Sequence, residues 1–324
     1  MTKTENWLLG IDLGGTTIKL AFIDMEGNII HKWEVVTNIE EGGRYIVSDI
    51  GLAVRSKLEE YPHGNMVAAG MGAPGPVDFE TGSIYEAVNI GWKDFPLQSL
   101  LEAELGVPCV VDNDANVASY GEFWKGAGAG TNDLVCITLG TGVGGGIIAN
   151  QKLVHGISGA AGEIGHTIVV PEGGATCNCG HTGCLETVAS ATGIVRLAME
   201  EIQENEATQL KPLFEEKGFI TAKDVFDCAA NQDESSKRVI DQVAMYLGLA
   251  AANVGNCINP DIIVFGGGVS KAGEALLIPV QKYFNKYAFP RVAASTKLGL
   301  ASLGNDAGVI GAAGMALSIH GEDN

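Results

Sequence analysis

The hydrophobic pattern near the start of the chain consists of three short apolar runs separated by turns rich in glycine or polar residues. The runs cover residues 7–11, 18–23 and 29–36. Runs of this length that are bounded by turn residues are typical of β-strands. The pattern therefore predicts a β-meander at the start of the fold.

Helical spacing follows the third run. Apolar residues recur at positions 47, 50, 54 and 58, which predicts an amphipathic helix over residues 44–60. Two buried strands are predicted at 66–71 and 107–111, and a helix near 97–105 lies between them. A meander combined with alternating strands and helices predicts an α/β sheet.

The pattern of strand, glycine turn and strand repeats at an offset of 126 residues, because residues 134–142 align with residues 8–16. A third glycine turn, at 266–268, follows another buried strand at 262–265. Two duplicated sheet domains that face one cleft would account for all three turns. Residues 192–256 are expected to be mainly helical, and residues 305–319 to form a final helix of small residues.

The composition is that of a folded protein. The chain has 324 residues, of which 46% are apolar, and at about 150 residues per domain this length predicts two domains. Glycine occurs 45 times, which is about twice its average usage. The glycines have no G-X-Y period, which excludes collagen. They indicate tight turns where the backbone approaches another group closely.

The net charge of −19 restricts the partners of the protein. A chain this acidic repels the phosphates of nucleic acids, so we expect no nucleic-acid partner. It also repels ATP, so a phosphate site must use backbone N–H groups, a few cations or Mg²⁺. The pattern of a signal peptide or a membrane span is absent, since the uncharged stretch 134–148 contains five glycines and fits two short strands. We expect a cytoplasmic protein with no membrane partner.

The first glycine turn has the chemistry of a phosphate site. Its glycines expose successive N–H groups that bind an anion, and its threonine hydroxyls add donors. The turn consists of Asp12, Leu13, Gly14, Gly15, Thr16 and Thr17. Asp12 can hold Mg²⁺ directly or through water, and Lys19 either adds a cation nearby or faces solvent. The alternative is an ordinary hairpin turn, and the presence of a second such turn weakens it.

The second glycine turn matches the pattern GxGxxG over residues 140–145 and begins with Gly140, Thr141 and Gly142. In dinucleotide-binding enzymes this pattern opens a helix. Here it leads into residues 147–150, which have no helical periodicity. The sequence therefore predicts a phosphate-binding turn between two strands and excludes a nicotinamide cofactor. The GxxxxGK[ST] pattern of P-loop enzymes is also absent.

A candidate general base follows the strand predicted at 107–111. Asp112, Asn113 and Asp114 lie between this strand and a helix predicted over 117–124. Ligands of α/β sheets bind at the carboxyl ends of strands, and Asp114 can take a proton from a hydroxyl that attacks phosphorus. The alternative is that Asp112 or Asp114 only caps the helix. Asn113 offers a donor and an acceptor that suit a polyol.

Three closely spaced cysteines predict a metal site. Cys177, Cys179 and Cys184 have the spacing C-x-C-x₄-C and suit tetrahedral zinc. Both His166 and His181 qualify as the fourth ligand, and buried or redox-active thiols are the alternative. Four protein ligands would close the site, so the zinc would be structural and would order the loop that carries Glu163, His166 and Glu186. His155 has no companion in the sequence and is interpreted as a surface or packing residue.

Four motifs together resemble the ROK family of sugar kinases and repressors. They are the turns that begin at Asp12 and Gly140, the segment Glu163-Ile164-Gly165-His166, and the stretch CNCGHTGCLE over 177–186. Their order and spacing fit over nearly the whole chain, and the CxCGxxGCxE pattern is highly specific. Within the family, the chain is most similar to the bacterial glucokinases.

The resemblance implies an α/β protein with an actin-like, ribonuclease H-like ATPase fold, in which two α/β domains surround a cleft. We expect a small domain of residues 1–118 plus about 305–324, and a large domain of residues 119–304 that carries the zinc loop. The resemblance also implies ATP-dependent phosphorylation of glucose at its 6-hydroxyl, with ATP, Mg²⁺ and structural Zn²⁺ bound. A homodimer is expected on the same basis.

The roles of the family's motif residues carry over to this sequence position by position. Asp114 matches the catalytic base. The residues that match sugar contacts are Gly75, Asn89, Asn113, Asp114, Glu163, His166 and Glu186. The residues assigned to ATP and Mg²⁺ are Asp12, Gly14, Gly15, Thr16, Thr17, Lys19, Gly140, Thr141 and Gly142, with Gly266, Gly267 and Gly268 at the adenosine. The residues that match zinc ligands are His166, Cys177, Cys179 and Cys184, which favours His166 over His181.

Three other functions are compatible with parts of this pattern. A transcriptional repressor of the same family is disfavoured by the charge of −19 and by the eleven residues that precede the Asp12 turn. A kinase for N-acetylmannosamine, fructose or allose is the second alternative. A non-catalytic sugar sensor is the third, and Asp114 argues against it because binding alone needs no base.

Overall fold

The computed structural model describes residues 5–205 and 207–322 of the chain. Two five-stranded sheets form its frame, one from each half of the sequence, and a smaller three-stranded sheet lies in the first half. The elements of the first half are β1 (Glu5–Leu13), β2 (Thr17–Asp24), β3 (Ile29–Val36), α1 (Glu40–Gly43), α2 (Ile46–Glu60), β4 (Gly64–Ala73), β5 (Val77–Asp78), β6 (Ser83–Ala87), β7 (Trp92–Phe95), α3 (Leu97–Leu105), β8 (Cys109–Asn113) and α4 (Asp114–Trp124).

The first sheet has the order β3-β2-β1-β4-β8. β1, β2 and β3 pair in antiparallel fashion and form the predicted meander, whereas β4 and β8 are parallel to β1. The side chains of Leu9, Phe22 and Met71 are buried together in one core, so the burial of apolar runs holds this sheet in register. The helices predicted over 44–60 and near 97–105 correspond to α2 and α3.

The second half repeats the arrangement. Its elements are β9 (Leu134–Leu139), β10 (Val143–Ala149), β11 (Lys152–Leu153), α5 (Glu186–Ala189), α6 (Ala191–Glu204), α7 (Leu210–Lys217), α8 (Ala222–Ala230), α9 (Glu234–Ile258), β12 (Ile262–Gly266), α10 (Gly267–Ser270), α11 (Glu274–Tyr287), α12 (Pro290–Ser295), β13 (Lys297–Leu300) and α13 (Ala307–Glu322).

The second sheet has the order β11-β10-β9-β12-β13. Each strand therefore occupies the place of its counterpart in the first sheet, with β9 in the place of β1 and β12 in the place of β4. The directions also match, because β10 is antiparallel and β12 parallel to β9. The predicted duplication of the strand, turn and strand pattern is confirmed, and residues 192–256 are mainly helical as expected.

Two helices lie where the two sheets approach each other. α13 packs on β1 and β4, and α4 packs on both α13 and β10. Glycines permit this approach, since a Cβ built on Gly10 would lie 2.0 Å from the carbonyl oxygen of Val309, and one on Gly70 would lie 1.9 Å from that of Ala312. The backbone of α13 therefore rests directly on the first sheet.

The start of α4 differs from the prediction. The helix predicted over 117–124 begins at Asp114, so the candidate base belongs to its first turn. Asn113 is the residue that caps this helix, because its side chain accepts a hydrogen bond from the N–H of Ala115. Neither Asp112 nor Asp114 is the N-cap that we considered. In the described part of the chain, we find no helix whose length and apolarity would let it cross a membrane.

The contact between α13 and the sheet gives a stability prediction. Gly70→Ala should destabilise the protein by about 1–3 kcal/mol, because the added methyl group would overlap backbone atoms that cannot move away. Gly299→Ala is the matched control. Its Cβ would lie 3.3 Å from the end of the Ile262 side chain, which can move away, so this variant should lose less stability. Chemical denaturation followed by tryptophan fluorescence measures both changes. Equal stabilities for the two variants would contradict this account of the contact.

Candidate active site

A cleft of about 770 Å³ lies between the two sheets. Its wall contains groups from all three predicted glycine turns and from α4. They include Asp12, Lys19, Asp114, Gly140, Gly142, Glu186, Gly266, Gly267 and Gly268. Residues separated by more than 250 positions in the sequence therefore meet in one cleft, as the duplicated pattern predicts.

The first turn connects β1 to β2. It is closed by a hydrogen bond of 3.1 Å from the N–H of Gly14 to the carbonyl oxygen of Thr17, while Gly15 and Thr16 are exposed. Asp12 and Lys19 face each other across the strand pair, and the Lys19 ammonium lies 3.0 Å from the Asp12 carboxylate. Of the two orientations considered for Lys19, the structure has the one near the turn, in which its charge is partnered by Asp12.

The second turn connects two antiparallel strands, β9 and β10, as predicted. The N–H of Gly140 donates to the carbonyl oxygen of Gly142 over 2.9 Å, and the hydroxyl of Thr192 donates to the carbonyl oxygen of Thr141. The N–H of Val143 donates to Glu186 Oε2 over 2.9 Å. The turn is therefore fixed by α6 on one side and by the Glu186 carboxylate on the other.

The third glycine turn follows β12 and leads into the short helix α10. Gly267 has a φ of +83°, and a Cβ built on it would lie 2.5 Å from the carbonyl oxygen of Leu139. Only glycine fits such a position without strain. The turn consequently packs on the end of β9, next to the second turn.

Asp114, in the first turn of α4, lines the same cleft. Its side chain is exposed to the open cleft, yet the protein around it reduces its hydration. This burial is the main cause that raises the pKa of Asp114 above the ordinary value of 3.8, and the negative charges of Asp12 and Glu163 add to it. The hydrogen bond from the N–H of Ala115 acts in the opposite direction.

Asn113 links the start of α4 to the segment that follows β4. Its Nδ2 donates to the carbonyl oxygen of Gly75 over 3.0 Å. Gly75 has a φ of +89°, and a Cβ there would lie 2.3 Å from the carbonyl oxygen of Glu86. Two of the sugar candidates are thereby in direct contact. Asn89 is exposed in the turn between β6 and β7. Of the sugar candidates, the described wall of the cleft includes Asp114 and Glu186 but not Gly75, Asn89, Asn113, Glu163 or His166.

Glu163, His166 and Glu186 surround the cysteine loop. His166 Nε2 lies 3.8 Å from Glu163 Oε2, and His166 Nδ1 lies 3.5 Å from the sulfur of Cys177. The thiol of Cys177 also donates to Glu186 Oε1 over 3.7 Å. One ring nitrogen of His166 therefore faces the cysteines, and the other faces the carboxylate of Glu163.

The four candidate metal ligands lie close together. One ligand atom from each of His166, Cys177, Cys179 and Cys184 lies within 4.8 Å of the others. Hydrogen bonds from His181 lower the pKa of Cys179 to about 6, whereas burial raises the pKa of Cys184 to about 12. All seven cysteines are free thiols in the structure.

Two carboxylates near the site make contacts that the sequence did not predict. Glu122 was not a candidate, and Asp112 was considered only as a helix cap. Glu122 is 1% exposed and accepts hydrogen bonds from the N–H groups of Ala127, Ser302 and Leu303, so it ties α4 to the loop before α13. Asp112 is paired with His155, whose Nε2 lies 2.5 Å from Asp112 Oδ2. The interpretation of His155 as a residue without companions was wrong, because its partner lies 43 positions away.

Comparison with known proteins agrees with this geometry. The family model described as "ROK family" matches residues 8–319. A glucokinase of Halalkalibacterium halodurans is 53% identical over 310 residues, covering 95% of this chain and 94% of that protein. The crystal structure of a ROK family glucokinase from Streptomyces griseus, in complex with glucose and AMPPNP, is 36% identical with a TM-score of 0.78, covering 96% of this chain and 99% of that one.

A ROK hexokinase from Thermus thermophilus is also similar, with 31% identity and a TM-score of 0.81, and the match covers 98% of this chain and 100% of that structure. The chain belongs to the ROK family. It has the actin-like, ribonuclease H-like ATPase fold expected from the resemblance, with an α/β architecture built on two related sheets.

The environment of Asp114 predicts its titration. In the substrate-free protein, the pKa of Asp114 should lie above 3.8, because burial disfavours the charged form. Asp12→Asn should lower this pKa, since a negative charge is removed and Lys19 loses its partner. NMR titration of ¹³C-labelled aspartate carboxyls measures both values, with Asp227→Asn on the distant surface as control. A rise in the pKa of Asp114 in the Asp12→Asn variant would contradict the conclusion that the negative charge of Asp12 raises this pKa.

Proposed function

We propose that this chain is an ATP-dependent kinase that phosphorylates the 6-hydroxyl of glucose. The observation that carries the proposal is the position of Asp114 in a cleft between the two sheets, which is lined by Asp12 of the first turn and by glycines of the second and third turns. Phosphoryl transfer to a hydroxyl needs a base beside a phosphate-binding site and little covalent chemistry from the protein. The 53% identity to a glucokinase supports glucose as the acceptor.

ATP is proposed to bind across the three glycine turns. The exposed N–H groups at Gly15 and Thr16 and those around Gly140 would donate to phosphate oxygens, and the turn at Gly267 would face the adenosine. Thr17, Thr141 and Lys19 would add further donors at the phosphates. Mg²⁺ would supply positive charge to the phosphates. Asp12, a half-buried carboxylate near the end of β1, supplies the oxygen ligands that Mg²⁺ prefers.

Asp114 is proposed to act as the general base. Its carboxylate would take the proton of the 6-hydroxyl while that oxygen attacks the γ-phosphorus of ATP. The raised pKa of Asp114 favours this role, because a stronger base accepts the proton more readily. The cap formed by Asn113 holds the first turn of α4, so Asp114 is fixed in direction before the sugar binds.

The remaining sugar hydroxyls would be recognised by several polar groups, and Asn89 is retained as a proposed contact. The proposed set is Gly75, Asn89, Asn113, Glu163, His166 and Glu186. Each buried polar group that lacks a partner costs about 1–3 kcal/mol, so a hexose with one inverted hydroxyl would bind more weakly. Closure of the cleft over both substrates would exclude water as the acceptor.

A structural zinc ion is proposed for the cysteine loop. Three thiols and one imidazole within 4.8 Å suit tetrahedral zinc. Zinc would hold the loop in one conformation and would thereby orient His166. The Nε2 of His166 faces Glu163. His166 is favoured over His181 because its nitrogen belongs to the compact group of four.

The proposal also includes a homodimer and a cytoplasmic location. It divides the chain into a small domain of residues 1–118 plus about 305–324 and a large domain of residues 119–304. The packing of α13 on the first sheet supports these limits.

The general base gives the most direct test of the proposed function. Asp114→Asn should lower kcat by about 10²–10⁴, because the amide has the same shape but cannot take the proton. Glucose affinity, measured by calorimetry, should stay near that of the wild type. Asp227→Asn, an exposed carboxylate on α8, should change neither quantity. Near-normal turnover of Asp114→Asn would disprove the assignment of the base.

The zinc site gives an independent prediction. Cys179→Ser should reduce the zinc content from about one ion per chain to a small fraction, since a thiolate ligand is lost. The KM for glucose should rise at the same time, because the loop that carries His166 is no longer ordered. Cys257→Ser is the matched control, as Cys257 is an exposed thiol on α9. Elemental analysis that finds no zinc in the wild type would contradict the proposal.

A further inference from the structure

His155 connects two parts of the protein that belong to different sheets. It lies in the loop after β11 of the second sheet, and its Nε2 lies 2.5 Å from Asp112 Oδ2 at the end of β8 in the first sheet. The ring of Phe79, which follows β5, stacks on the imidazole with a centroid distance of 4.7 Å and an angle of 11°. His155 therefore contacts the first half of the chain twice.

The partner of His155 is itself tightly held. Asp112 is 3% exposed, and its Oδ1 accepts hydrogen bonds from the N–H of Asn113 over 2.6 Å and from the amide of Asn116 over 2.9 Å. These two bonds fix the first turn of α4, which carries Asp114. A contact to Asp112 is thus a contact to the frame that holds the proposed base.

The loop that begins at His155 leads to the proposed sugar contacts. The N–H of Ala161 donates to the carbonyl oxygen of His155 over 2.9 Å, which closes the loop on itself. Gly159 has a φ of +74°, and a Cβ on it would lie 2.6 Å from the carbonyl oxygen of Val77 in β5. The loop therefore rests against the three-stranded sheet, and two residues after Ala161 it reaches Glu163.

We propose that His155 is a positioning residue for the sugar. It holds the loop 155–163 against the segment that carries Asp112 and Asp114, and it thereby sets the separation between Glu163, which contacts sugar hydroxyls, and the base that deprotonates one of them. This inference rests on the proposed function. His155 itself does not touch the substrate, and it acts through Asp112 and through its own loop.

Two substitutions of His155 separate its hydrogen bond from its bulk. His155→Leu removes the donor to Asp112, whereas His155→Gln keeps an N–H donor at nearly the same distance from the main chain as Nε2. His155→Leu should raise the KM for glucose about tenfold or more, since small errors in substrate placement are costly, and it should leave the KM for ATP unchanged. His155→Gln should restore a KM for glucose close to that of the wild type.

His31→Gln is the matched control, because His31 is also held by a hydrogen bond and by contacts with aromatic rings. His31 Nδ1 lies 3.0 Å from the Tyr61 hydroxyl, and its ring stacks on Trp33 at 5.6 Å, on strand β3 at the edge of the first sheet. This variant should leave both KM values unchanged. Equal changes in the KM for glucose and for ATP in His155→Leu would indicate general damage and would overturn the inference, as would an unchanged KM for glucose.

Hydrogen exchange of the substrate-free protein tests the same inference without activity. Amides of residues 156–163 should exchange faster in His155→Leu than in the wild type, and at the wild-type rate in His155→Gln and His31→Gln. Unchanged exchange in His155→Leu would show that His155 does not hold the loop. If the wild type fails to phosphorylate glucose while exchange follows the expected pattern, the proposed function fails and the loop contact stands.

Discussion

The contact on which the architecture depends is that of helix α13 with the first sheet, where backbone meets backbone. Gly10 and Gly70 leave room for the carbonyl groups of α13, and on its other side a Cβ on Gly311 would lie 1.8 Å from the carbonyl oxygen of Val117 in α4. The start of α13 also approaches Asp12, because a Cβ on Gly308 would lie 2.7 Å from its carboxyl carbon. This packing brings the Asp12 turn and the first turn of α4 to the same cleft.

The excess of glycine has two explanations, and this close packing is one of them. Some glycines form turns whose bare N–H groups suit phosphates, which is how a chain with a charge of −19 could hold a polyanion. Others allow helices and sheets to approach more closely than any side chain permits. Between the turns, Glu186 joins separate parts of the site, since it accepts from the N–H of Val143 and faces the thiol of Cys177.

Much of the fold was predictable because its signals are local. Apolar runs ended by glycine turns predicted strands in both halves of the chain, and the repeat at an offset of 126 residues predicted two duplicated sheet domains. The three-stranded sheet β5–β7, the start of α4 at Asp114 and the pair of His155 with Asp112 were not predicted. Each depends on which distant segments meet, and neither periodicity nor spacing carries that information. The roles of the individual site residues are still predictions, and only some of the candidate residues belong to the described wall of the cleft.

The measurement that tests the central claim most directly is a coupled assay of the wild-type protein across glucose, N-acetylmannosamine, fructose and allose, each with ATP and with polyphosphate. We expect the highest kcat/KM for glucose with ATP, and glucose 6-phosphate as the product. A higher kcat/KM for another of these sugars would contradict the assignment of glucose as the acceptor. If none of the four sugars is phosphorylated, the interpretation of the cleft as a sugar kinase site is wrong.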